Sequence, residues 1–105
     1  MNNKVLTLLG FAAKAGKLSY GFDSTHTAIK QKKSKIIICA EDLSQKSFKE
    51  IIFYASKTEM QVFSLKGVAI ETLSKSVGRK CGMVSVNDKG FAESLKEEIL
   101  NDQQI

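Results

Sequence analysis

Proline and tryptophan are absent from this chain, and one histidine and two cysteines are all that its 105 residues hold of those types. Without proline there is no rigid spacer, and no low-complexity tract divides the chain. Cys39 and Cys81 stand far apart with no second cysteine two residues from either, so no zinc-ligand spacing exists. Two cysteines without an export signal argue against a disulfide framework and for a cytoplasmic protein. A long hydrophobic run is missing too. The apolar stretch from Val5 to Ala13 is too short to span a bilayer and lacks the basic region and small-residue cleavage site of a signal peptide, so it reads as a buried helix. What is present, 43% hydrophobic and 26% charged residues, suits one globular domain spanning residues 1–105 around one continuous core.

Acidic residues are scarce in one place. Residues 1–35 carry seven lysines against Asp23 alone, whereas the other seventy residues hold nine cations and ten acids, so the net +5 lies in the first third. A one-sided excess creates a field that attracts phosphate, although a solvated lysine-rich helix face has the same composition.

Apolar spacing locates the elements. Asn2 or Asn3 is placed to cap a helix with Val5, Leu6, Leu9, Ala12 and Ala13 on one face, ended by Gly16. Leu18 to Tyr20 reads as a short strand, after which Gly21 turns the chain and Asp23 or Ser24 caps a second helix through Ile29 to about Lys32. Only Ala28 and Ile29 of that helix read as inward. Ile36 to Ala40 is a continuous apolar run, as a central strand covered on both faces requires. Asp42 and Gln45 resemble a capping box for a helix with Phe48, Ile51, Ile52 and Ala55 inward. Gln61 to Leu65 and Met83 to Val86 are further strands. Between them Gly67 leads into a helix with Ile70, Leu73 and Val77 inward, closed by Gly78. Asn87 or Asp88 caps a last helix with Phe91, Leu95 and Ile99. This alternation predicts an α/β fold, a three-layer α/β/α sandwich with a small mixed sheet of about four strands.

No constellation supports catalysis, and no metal or cofactor is expected. Gly10 to Lys17 has five residues between its glycines where a phosphate loop has four, lacks the hydroxyl after the lysine, and falls at a helix end. His26 could be oriented by Asp23, but no nucleophile accompanies it. Cys39 lies in the buried strand, where thiols are inert, and Glu41 with Asp42 serves equally as strand end and cap. Recognition has more in its favour. The start of the second helix offers unpaired N–H groups and a positive dipole end. Lys14, Lys17, Lys30, Arg79 and Lys80 can ring it. Phe22, in the turn itself, either stacks on a base or staples the helix start. Phe48, Phe53, Phe63 and Phe91 sit mostly at core-like spacing, which favours folded RNA over a single strand on an exposed sheet. Neither a membrane nor DNA is an expected partner.

The run Ala12-Ala13-Lys14-Ala15-Gly16-Lys17-Leu18, then Gly21, then Ala28-Ile29-Lys30, then Lys35 to Asp42, resembles the ribosomal protein family of the L-seven-Ae and L-thirty-e types. The ending Val77-Gly78-Arg79-Lys80 and Val84 to Ala92 resembles its small bacterial YlxQ-like branch in particular. The resemblance implies a non-catalytic protein, ribosome-associated, that binds kink-turn RNA, where tandem sheared G·A pairs sit beside a sharp bend. It implies a first contact surface of Gly21, Phe22, Asp23, Ser24, Thr27 and Lys30, and a second of Gly78, Arg79, Lys80 and Cys81. The archaeal and eukaryotic pattern has Asn and Glu at Asp23 and Ser24 and Lys at Thr27. Asp23 cannot donate as an amide does, Ser24 lacks a carboxylate, and Thr27 removes a cation. Extra residues also stand between Leu65 and Ile70. The eroded motif and the acidic last helix leave a second reading, a protein-interaction module on the same fold.

Overall fold

A computed structural model describes residues 3–102. The order is α1 (Asn3–Lys14), β1 (Leu18–Tyr20), α2 (Gly21–Lys30), β2 (Ile36–Ala40), α3 (Gln45–Ser56), β3 (Val62–Leu65), α4 (Ile70–Val77), β4 (Met83–Val86) and α5 (Lys89–Asp102). The strands form one mixed sheet in the order β1-β4-β2-β3, with β2 and β3 parallel and β4 antiparallel to both β1 and β2.

The apolar run of β2 is continuous because each of its faces meets a different helix layer. Side chains alternate along a strand. Ile36, Ile38 and Ala40 therefore join a core with α1, α4 and α5, while Ile37 and Cys39 join a second core with α2 and α3. All five residues are buried, which makes β2 the spine of the three-layer α/β/α sandwich. Each fully buried isoleucine contributes roughly 1.5–3 kcal/mol of hydrophobic stabilisation.

Several boundaries differ from the sequence reading. Helix α2 starts at Gly21, ahead of Asp23 and Ser24, because extended Tyr20 (φ −111°) feeds the helix directly and no side chain caps it. Gly21, at φ +84°, makes that corner where a β-carbon would be strained. The helix ends at Lys30, and Lys32 turns the chain away at φ +61°. Thr25 is buried alongside Ala28 and Ile29. Asp42 does not cap α3. Ser44 does, accepting from the Ser47 N–H at 3.2 Å, while Asp42 Oδ1 accepts from the Ile70 N–H at 2.7 Å and so caps α4 across the fold. Ile52 faces solvent, and Gln61 lies just outside β3, its carbonyl still accepting from the Ile37 N–H at 3.0 Å. Asp88, accepting from the Phe91 N–H at 2.8 Å, caps α5. The Asn2 cap lies outside the described residues, and Asn3 is within α1.

Candidate nucleic-acid interface

Pairing of β1 with β4 sets the site. The strands run antiparallel with Tyr20 opposite Val84, so the end of β1 and the start of β4 lie at the same edge of the sheet. The corner at Gly21 and the loop 78–82 therefore meet. Arg79 marks the junction: its guanidinium carbon stands 4.8 Å from the centroid of the Tyr20 ring. The loop that carries it is pinned. Gly78 takes φ +76° at the end of α4, and Ser74 Oγ both accepts from the Cys81 N–H (3.0 Å) and donates to the Cys81 carbonyl (3.1 Å). These bonds leave Gly78, Arg79 and Lys80 exposed and bury Cys81. Burial raises the Cys81 thiol pKa and the nearby Arg79 charge lowers it again, the burial being the larger effect. Cys81 thus shapes the loop rather than presenting its side chain to solvent.

Beside the corner lies a polar groove of about 460 Å³, lined by Asp23, Ser24 and Thr27 of α2 with Gln31 just past its end, by Ser19 of β1 and by Asn87 just after β4, with Gly16 and Lys33 among its other lining residues. Positions 23, 27 and 31 recur at four-residue spacing along the helix and so share a face. The floor is held by a hydroxyl–amide chain. Asn87 Nδ2 donates to Ser19 Oγ at 2.8 Å, and Ser85 Oγ lies 2.7 Å from both Asn87 Oδ1 and Ser34 Oγ. Since the amide oxygen can only accept, the single Ser85 proton goes to Asn87 and Ser34 supplies the other bond. Two strands and the α2–β2 connection are locked together under the groove.

The structure does not gather the expected cations at the helix start: Arg79 and Lys80 lie in the loop at the corner, whereas Lys17 and Lys30 lie toward the other ends of β1 and α2. Lys30 is exposed one turn beyond Thr27, and Lys17 is exposed in the α1–β1 turn, its carbonyl accepting from the Asn87 N–H at 2.8 Å. Lys14 lines a separate groove between α1 and α4 that also reaches Gly78. Phe22 takes the stapling role: half-buried, it packs on the second core with its ring 6.0 Å from His26 and 6.4 Å from Tyr54. Among the polar lining residues, Ser19, Gln31, Lys33 and Asn87 were not read as site residues from the sequence. Gln31 was accessible from its four-residue step after Thr27 and Lys33 from the lysine cluster. Ser19 and Asn87 depend on strand register, which no local pattern encodes.

The groups considered for catalysis are occupied otherwise. His26 stacks on Tyr54 at 3.9 Å between centroids. Cys39 is fully buried, and desolvation pushes its thiol pKa up to about 12, opposite to the shift a nucleophile needs. Among the described residues no group of His, Cys, Asp and Glu is placed to hold a metal ion, and no helix is long and apolar enough to cross a membrane.

Layers and strand order define the class, a three-layer α/β/α sandwich with a mixed four-stranded sheet. The chain belongs to the ribosomal protein L7Ae/L30e/S12e/Gadd45 family, whose model matches residues 3–96. It is 32% identical over 96 residues to the RNA-binding protein YlxQ of Enterococcus faecium, covering 91% of each chain. It is 34% identical over 93 residues to the large ribosomal subunit protein eL30 of Yarrowia lipolytica, covering 87% of this chain and 84% of that one. Two solved structures share the fold. A protein of unknown function from Bacillus halodurans superposes with a TM-score of 0.87 at 23% identity, covering 93% of this chain and 98% of that one. The Giardia lamblia 15.5kD RNA binding protein superposes with a TM-score of 0.75 at 12% identity, covering 96% and 89%.

Proposed function

We propose that this protein is a non-catalytic, cytoplasmic RNA-binding protein that recognises structured, kink-turn-like RNA in association with the ribosome, the whole chain acting as one domain. The observation that carries the reading is the Arg79–Tyr20 contact, which joins two segments 59 positions apart in sequence into one basic edge around an uncapped helix start. Kinship with proteins named for RNA binding and for the large ribosomal subunit supports it.

The residues divide by chemistry. Lys14, Lys17, Lys30, Arg79 and Lys80 neutralise phosphates, and the first N–H groups of α2 after Gly21 add an anion seat. In the groove Asp23 accepts from base amino or imino groups, while Ser24 and Thr27 donate or accept with one hydroxyl each. Phe22, Gly78 and Cys81 hold the two segments in shape. Titration of a kink-turn RNA against an unkinked duplex of equal length and charge tests the proposal. Tighter binding of the kinked RNA is expected, and equal binding would leave only phosphate attraction and refute shape recognition.

A further inference from the structure

We propose that the solvent face of α3 is a second RNA-contacting surface, on which an unpaired base from a single-stranded flank of the bound RNA stacks on Phe53 between lysines that neutralise its phosphates. The inference rests on the RNA-binding reading above and extends it to a helix that reading does not use.

Helix α3 turns Ile51 and Ala55 into the core and leaves Lys46, Lys49 and Phe53 exposed, with Lys57 just beyond its end. Phe53, read as core-like from its spacing, is instead 55% exposed, because α3 turns Ile51 and Ala55 inward. Lys49, Phe53 and Lys57 are four residues apart and form one stripe. The Lys57 ammonium already stands 4.4 Å from the ring centroid, so the ring is held in a cationic setting. The charge is local. Residues 45–57 carry three lysines and one acid, Glu50, while the rest of the last seventy residues hold six cations and nine acids.

A row of rings joins the face to the basic edge. Phe53 meets Tyr54 edge-on at 5.4 Å, Tyr54 stacks on His26 at 3.9 Å, and His26 lies on α2 one turn beyond Phe22. A strand leaving the edge at α2 is led by this row onto α3. Lysines alone would serve an acidic peptide equally well, but the exposed ring in their midst favours a base, because every base has a flat face to stack. The Lys57 ammonium then exchanges the ring for a phosphate.

The test uses the full chain, a blunt kink-turn RNA, and the same RNA with a short single-stranded uridine extension at the 5′ or the 3′ end. An extension at one end is expected to tighten binding by the wild type on the order of tenfold, as one stacked base provides. Phe53→Ala is expected to abolish that gain and leave the blunt RNA unaffected, Phe53→Tyr to keep it, and Lys57→Gln to flatten the salt dependence for the extended RNA alone. The proposal is overturned if neither extension tightens binding, if the gain survives Phe53→Ala, or if a polyglutamate peptide binds through Lys57 while the extensions do nothing. Should the blunt RNA fail to bind, the kink-turn reading fails by itself. An oligouridine strand titrated alone then decides the α3 face by the same dependence on Phe53.

Discussion

Removing Arg79 separates the two roles of its guanidinium. On the protein side it stacks on Tyr20 at 4.8 Å. At an exposed site such an interaction contributes about 0.5–1 kcal/mol, which for a domain of this size lowers Tm by only a few degrees. On the RNA side a charge-assisted hydrogen bond to phosphate contributes about 1.5–3 kcal/mol, or roughly 10- to 150-fold in Kd. Arg79→Ala is therefore expected to bind kink-turn RNA at least tenfold more weakly while remaining folded. The mechanism is read from salt. With one phosphate fewer neutralised, the slope of log K against log salt becomes shallower by about 0.7–0.9, so wild type and variant converge as salt rises. Arg79→Lys keeps the charge but not the planar fork, and is expected to keep the slope and lose a smaller part of the affinity. Fluorescence anisotropy from low to moderate salt measures both quantities. An unchanged slope in Arg79→Ala would remove Arg79 from the phosphates and leave it a purely structural role on Tyr20.

Thr27→Lys returns a cation to the groove rim and is expected to tighten RNA binding and steepen the salt slope by nearly one unit, with Lys30→Ala moving both the other way in the same titration. Gly21→Ala meets no atom within 4 Å but keeps a β-carbon at φ +84°, so a loss of about 1–2 kcal/mol is expected in denaturant unfolding. Cys39 supplies a pH test. Its folded pKa of about 12 lies above the ordinary thiol value of 9.0, so the protonated thiol favours the fold, a contribution fully present below pH 9 and lost as pH rises toward 12. Wild type should therefore lose more stability than Cys39→Ala between pH 8 and pH 10.5, and parallel pH profiles of the denaturation midpoint would contradict the burial argument.

The sequence was most legible where one local cause decides. β2 was delimited to the residue because five apolar side chains in a row fit only a strand covered on both faces, and Gly78 because a helix end commonly needs a left-handed residue. It misled where a local motif and a distant partner compete for one group. Asp42 followed by Gln45 has the spacing of a capping box, yet the parallel pairing of β2 with β3 carries the chain back to place the Ile70 N–H within 2.7 Å of that carboxylate. Ser44 was left to cap α3. The α2 start was misplaced for a related reason: Asp23 and Ser24 are good capping types, but Gly21 supplies the whole turn and no cap is needed. That error bears on the site, since it moves Asp23 and Ser24 from cap duty into the groove. The cations were plain from composition; the groove floor, made by the β1–β4 register, was not.

On the proposed interface, Asp23 in the groove sets how affinity and selectivity divide. The positive end of α2 already favours a carboxylate in its first turn, where Asp23 stands, and the N–H groups of base edges are the further donors RNA offers. The rim lysines and Arg79 attract any RNA, and salt weakens their contribution for every sequence alike. The groove would act differently, because its Ser19–Asn87–Ser85–Ser34 hydrogen bonds lock β1 and β4 to the α2–β2 connection, and bonds from it to bases would release no counterions. Raising salt should then lower the affinity for kinked and unkinked RNA together while leaving their ratio nearly constant. A ratio that collapses toward one as salt rises would mean that the bend is recognised only through closer phosphates, with no reading by Asp23, Ser24 and Thr27.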